Sequence, residues 1–204
     1  MVSGSPTDLG LSAAEGGGDW PIAAAQVRAS IAHPHLIRTR IERRGPRPAL
    51  VTELCRAPTL AERIARSPLP VRDAVTVMAD VAAAVEALAA HGMAPRALSP
   101  EAIHLHRTRG VILADAGAPA ELVPRASVVS PSARPYLSPE EMRGHAPDPG
   151  SLVYSLGAIL RDAAPANAPQ SLRHVIDQAT AEDPDDRYSS PPAFAAATVA
   201  AIPG

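Results

Sequence analysis

The stretch Pro95–Leu105, PRALSPEAIHL, joins the clearest helix in the chain to a pair of short strands. Upstream, Pro70–Met93 carries Val71, Val75, Met78, Val81, Val85 and Leu88 at three- and four-residue steps. That spacing places them on one face of a long helix, and Gly92 stops it. Downstream, short apolar runs near Ile103–Leu105 and Val111–Ala114 predict strands.

Working outward, Pro21–Ala32 predicts a helix, with Asp19 as its cap and Pro21 in its first turn. The runs Leu36–Glu42 and Pro48–Leu54 predict two strands around the turn signal RRGPR. Thr59–Arg66 predicts a short helix. Residues 115–140 form a long, proline-studded loop. Ser151–Asp162, Gln170–Ala181 and Pro192–Ile202 predict three more helices. Strands beside one helix, followed by a mostly helical second half, give an α+β chain in two unequal parts. Residues 1–19 are small, polar and glycine-rich and predict a flexible leader.

Composition narrows the function classes. The 204 residues are 46% apolar but only 2% aromatic, so the core is built from Ala, Val, Leu and Ile. The net charge is −2, and all 19 basic residues are arginine. No basic stripe marks a nucleic-acid partner. Cys55 alone excludes an internal disulfide. No signal peptide is visible, and the most apolar segment, Phe194–Ile202, is too short to span a bilayer. These features point to a cytoplasmic location.

The order of short motifs over residues 21–204 resembles the bacterial Ser/Thr protein kinase family. HPHLIR (33–38) resembles the turn after that family's regulatory helix. ALVTEL (49–54) resembles the strand entering the nucleotide hinge, so the backbones of Glu53 and Cys55 would face an adenine. PRALSPEA stands where the family has H-R-D-L-x-x-x-N, and LADAGAP (113–119) stands for D-F-G. PYLSPEE (135–141) stands for A-P-E, LVYSLGAIL (152–160) for the buried central helix, and DPDDRY (183–188) for a late arginine motif. The resemblance implies a protein kinase-like α+β fold. A reduced N-lobe of one helix and few strands would span 20–56, and a mainly helical C-lobe 57–204.

Several positions depart from the family pattern. Pro95 replaces the motif histidine, Ala97 the aspartate that accepts the substrate proton, Ser99 the loop lysine and Ala102 the magnesium-binding asparagine. With no lysine in the chain, the ATP-clamping lysine is absent, and its glutamate partner would fall near Ala24. About twenty residues before the first helix leave little room for a glycine-rich loop. Phosphoryl transfer rests on positioning and charge stabilisation, so these departures lead to the expectation of a degenerate member, a pseudokinase that is not an enzyme. Asp115 remains as a vestigial metal ligand. No cofactor is expected beyond weak binding of ATP and Mg²⁺.

Other residues keep structural roles. Arg96 is architectural, and Glu140 with Arg187 matches a pair that the family buries as a salt bridge. Ser127, Ser130 and Ser132 lie in the loop that takes phosphates in the family, within reach of Arg96. The implied role is binding, scaffolding or regulation of a protein partner, with no membrane insertion by this segment. The alternatives are a weak nucleotide sensor, or a fragment of a Ser/Thr protein kinase whose start lies upstream. His104 and His106 share a strand face, but two ligands fall short of a metal site.

Overall fold

The computed structural model describes residues 11–12, 22–44, 47–115, 117–120, 123 and 129–202. It is a mixed α+β chain. Strand β1 (Leu11–Ser12) precedes helix α1 (Ile22–Ser30), then β2 (Thr39–Arg44), β3 (Arg47–Glu53), α2 (Leu60–Ile64) and α3 (Val71–Ala89). Short strands β4 (Met93–Ala94), β5 (Ile103–His106), β6 (Gly110–Leu113) and β7 (Ala118–Pro119) follow. Four helices follow among the described residues: α4 (Pro139–Met142), α5 (Pro149–Ala163), α6 (Gln170–Ala179) and α7 (Pro191–Ala200).

Strand β3 is central in a three-stranded antiparallel sheet, with β2 on one side and β1 on the other. Arg40 pairs with Val51 and Ile41 with Leu50, while Leu11 pairs with Glu53. Within residues 1–19, read as a leader, Leu11 and Ser12 thus form a sheet edge; the others, with the expected cap Asp19, lie outside the described residues. β5 pairs with β6, and β4 with β7, both antiparallel.

Helix ends follow local chemistry. Thr59 and Glu62 form a reciprocal capping box at α2, Ser138 and Glu141 another at α4, and Asp148 with Ser151 a third at α5. Each occupies two backbone N–H groups that a helix start leaves unpaired. Ser190 caps α7 through the N–H of Ala193.

The expected stripe of α3 is buried from Val75 to Leu88, with Val71 partly buried, and Val77 and Ala84 beyond the stripe are buried too. The reason is that α3 packs on α5, α7 and β6 together, so more than one face is covered. Small residues allow this crowding. A Cβ added to Gly157 of α5 would meet the Ala179 Cβ of α6 at 2.7 Å. Ile31 and Leu36 join the same apolar core as α3, α5, α6 and Phe194. Ile37 N–H donates to Leu113 O at 3.0 Å, and Leu113 N–H to His35 O at 2.8 Å. These bonds stitch the segment after α1 onto β6.

Candidate functional site

The candidate site gathers around Asp115, just beyond β6. Its Oδ2 accepts the N–H groups of Arg96 at 2.7 Å and Ala97 at 3.2 Å. Its Oδ1 accepts Gly117 N–H at 2.7 Å, and Arg96 Nε lies 3.8 Å from the same oxygen. Both oxygens of this largely buried carboxylate are thus engaged by backbone donors, which fix its orientation. Gly117 is needed at this bend. Its φ is +68°, and an added Cβ would press on Ala94 O and the Leu88 side chain at 3.3 Å. Asp115 thus ties residues 95–97 to the turn at 117.

Around it, the loop residues are packed. Pro95 and Ser99 are buried. Ala97 packs against a small apolar cluster of Val129, Ala133 and Leu137. Ala102 packs against the main core, and its carbonyl accepts Ala114 N–H at 2.7 Å. Arg96 keeps its side chain exposed on the rim.

The hinge candidates lie at the end of β3. Glu53 N–H donates to Arg38 O at 3.0 Å within the sheet, so the carbonyl is the group this residue could offer an adenine. The Glu53 carboxylate pairs with the Arg109 guanidinium. Cys55 follows, half-buried and free.

Glu140 and Arg187 meet. Arg187 Nη1 donates to Glu140 Oε1 at 2.6 Å and Nη2 to Oε2 at 3.0 Å. The guanidinium also donates to the carbonyls of Ala181, Glu182 and Gly150, and Tyr154 stacks 5.0 Å from its centre. Burial pushes the Glu140 pKa up, but the Arg187 hydrogen bonds and charge outweigh it and hold it below the ordinary value. Neighbouring Glu141 shifts the other way, raised by burial.

Of the serines, Ser132 Oγ donates to Glu101 Oε2 at 2.9 Å, and Ser130 Oγ lies 2.7 Å from Ser132 Oγ. Ser127 lies outside the described residues. Nearby, Tyr136 O–H donates to Asp162 at 2.9 Å; burial and this bond push its pKa up to about 12. His104 Nδ1 is 2.7 Å from Ala57 O, and His106 Nδ1 accepts the N–H groups of Thr108 and Arg109.

Arg28 escaped the sequence reading. It is fully buried on α1 and donates to Thr39 Oγ1 at 3.1 Å and Ile37 O at 2.9 Å. Burial pulls its pKa down to about 10, with the charge of Asp115 acting against that fall. The signal was present: Ala25, Arg28 and Ile31 share one three-residue spacing, and the first and last are core residues.

Comparison with known proteins follows from this geometry. No known family profile matches the chain. The chain is 30% identical to the serine/threonine-protein kinase PknB of Mycobacterium leprae over 173 residues, 78% of this chain and 28% of that protein. It is 28% identical to PknB of Mycolicibacterium smegmatis, covering 72% and 29%. It is 35% identical to PknL of Mycobacterium tuberculosis over 130 residues, covering 61% and 32%. The chain belongs to the bacterial Ser/Thr protein kinase-like family. It spans less than a third of the length of these relatives. The expectation that the chain is not an enzyme is overturned here. The proteins it matches in this kinase family are kinases by name, and kinases are enzymes. Among the described residues, no helix is long and apolar enough to cross a membrane.

Proposed function

We propose that this member of the Ser/Thr kinase-like family is a regulatory, protein-binding module that also holds Mg²⁺ and ATP weakly. The division into a small lobe at 20–56 and a large lobe at 57–204 belongs to this reading. The observation that carries it is the grip of Arg187 on Glu140. That buried pair fixes the Ser138–Met142 segment against the helical part, which supports a kept fold on which a partner could dock.

Asp115 supports the nucleotide half of the reading. Mg²⁺ is held by one or two carboxylates plus substrate phosphates, and Asp115 supplies one carboxylate with its orientation set by backbone donors. Among the described residues no group of three or more His, Cys, Asp or Glu forms a metal cage, so affinity rests on the nucleotide's own phosphates. When bound, the ion would draw charge off those phosphates. The Glu53 carbonyl and the Cys55 backbone would meet the adenine. Ser127, Ser130 and Ser132 are proposed acceptors of a regulatory phosphate, and the location is proposed as cytoplasmic. Titration calorimetry with Mg·ATP tests the nucleotide half: a dissociation constant in the millimolar range supports it, and absence of heat at that concentration overturns it.

The length of the relatives favours a second reading. The chain is then one portion of a Ser/Thr protein kinase and contributes Asp115 and the Glu140–Arg187 anchor to phosphoryl transfer by the whole protein.

A further inference from the structure

An open cleft of about 460 Å³ lies on the face made by the turn after α1 and by Arg109 at the β5–β6 hairpin. We propose that it docks an acidic peptide segment of a protein partner, one carrying an apolar anchor residue among carboxylates. The volume falls within the range of built ligand pockets. Ile31, Leu36 and Ile37 give it an apolar floor, and Arg38 and Arg109 stand among its lining residues.

The cleft already shows which charge it takes. Beside the lining residues, the Glu53 carboxylate of β3 pairs with the Arg109 guanidinium and accepts the Arg38 backbone N–H at 3.2 Å. That carboxylate offsets the Arg109 charge, and its contact with Arg38 is to the backbone alone, so the positive charge of Arg38 is left in excess. The Arg38 residue is exposed, and among the described residues no carboxylate pairs with its guanidinium. A second carboxylate, from outside, complements it. Arginine suits this task because its planar fork matches a carboxylate with two parallel hydrogen bonds. The other lining residue able to carry charge is His33, whose pKa is lowered by burial and by His35. It adds little positive charge near neutral pH.

The floor decides between classes of partner. It offers aliphatic side chains and no phenyl or indole face on which bases could stack, as single-stranded nucleic acid requires. Docking has a consequence for the hinge candidates. A ligand carboxylate that takes Arg109 competes with Glu53, whose backbone leads directly to Leu54 and Cys55.

This inference deepens the reading of the chain as a protein-binding module, but it is tested without nucleotide, so the two can fail separately. The experiment measures fluorescence polarisation of a labelled pentapeptide with one leucine between two pairs of glutamates, titrated with the whole chain. Binding is expected to fall at least fivefold when glutamines replace the glutamates, and likewise when glycine replaces the leucine. Arg38→Glu and the cleft-filling Ala32→Phe, both at exposed positions, are each expected to weaken binding about tenfold. Glu53→Gln frees Arg109 and is expected to tighten binding, a gain that misfolding cannot imitate. Absence of binding, equal affinity for the glutamine peptide, indifference to these variants, or displacement of the peptide by oligothymidine would each overturn the proposal.

Discussion

Arg187 holds both carboxylate oxygens of Glu140 while donating to three backbone carbonyls on either side of it. Removing the cation leaves a buried carboxylate without its counter-charge and takes one donor from each of three carbonyls. Arg187→Ala is therefore expected to destabilise the chain by ~3–5 kcal/mol, read from urea unfolding. Glu140→Gln, which keeps shape and one acceptor, is expected to cost less. Equal stability of Arg187→Ala and the unsubstituted chain would show that the pair anchors nothing.

The same pair sets a dependence on pH. Glu140 titrates below the ordinary glutamate value because Arg187 favours its charged form. A depressed carboxylate contributes its full stability above the unfolded value, near ~4.3, and loses it as pH falls through the lower folded value. Glu141, raised by burial, has the opposite sign. Comparing unfolding midpoints between pH 6 and 3 for the chain and Glu140→Gln isolates the first effect. The difference between them is expected to shrink as the pH drops; a constant difference would contradict it.

Position 97 offers a third test. Ala97 presents a methyl group to Val129, Ala133 and Leu137, beside the Asp115 carboxylate that holds its N–H. A positioned base contributes ~10²–10⁴-fold to a rate. If this loop faces a phosphoryl acceptor, Ala97→Asp is expected to raise phosphate transfer from Mg·ATP to a serine peptide within that range. It should also lower stability, because a carboxylate enters an apolar cluster. Unchanged transfer in a folded Ala97→Asp variant would remove the loop from the chemistry.

Ser132 is held by Glu101, and this contact closes the segment that runs into Leu137. A negative charge at Ser132 converts the hydrogen bond into repulsion. Ser132→Asp is expected to speed proteolytic cleavage between residues 129 and 137 a few-fold, whereas Ser132→Ala should do so less. The reverse order would mean that the contact with Glu101 does not hold the segment.

Much of this architecture was legible because it is local. The stripe from Val75 to Leu88, the short helix after Thr59 and the proline-led start of α7 are written in short spacings, and the structure places helices there. Motif order brought Glu140 and Arg187 together across 47 residues. What stayed hidden depends on distance in sequence without a pattern. Glu53 meets Arg109 only because β3 and the β5–β6 hairpin converge. Leu11 and Ser12 gain strand character from β3 rather than from their own residues. Arg28 went unread, since arginine is seldom fully buried, and only the fold supplies the Ile37 carbonyl and Thr39 hydroxyl that satisfy it. Ala97 and Ala102 depart from the family motif in residue type, yet absent side chains do not establish absent activity in a family of enzymes.

The nucleotide half of the account depends on Asp115 as a ligand for Mg²⁺ and nucleotide, and thermal unfolding tests it directly. With a dissociation constant near ~1 mM, about 5 mM Mg·ATP stabilises the folded chain by ~1 kcal/mol, which raises the midpoint by ~2–4 °C for a chain of this size. The rise is predicted to vanish when EDTA removes the metal, and to be absent in Asp115→Asn measured against its own ligand-free midpoint. No rise for the unsubstituted chain, or the same rise for Asp115→Asn, would contradict the account.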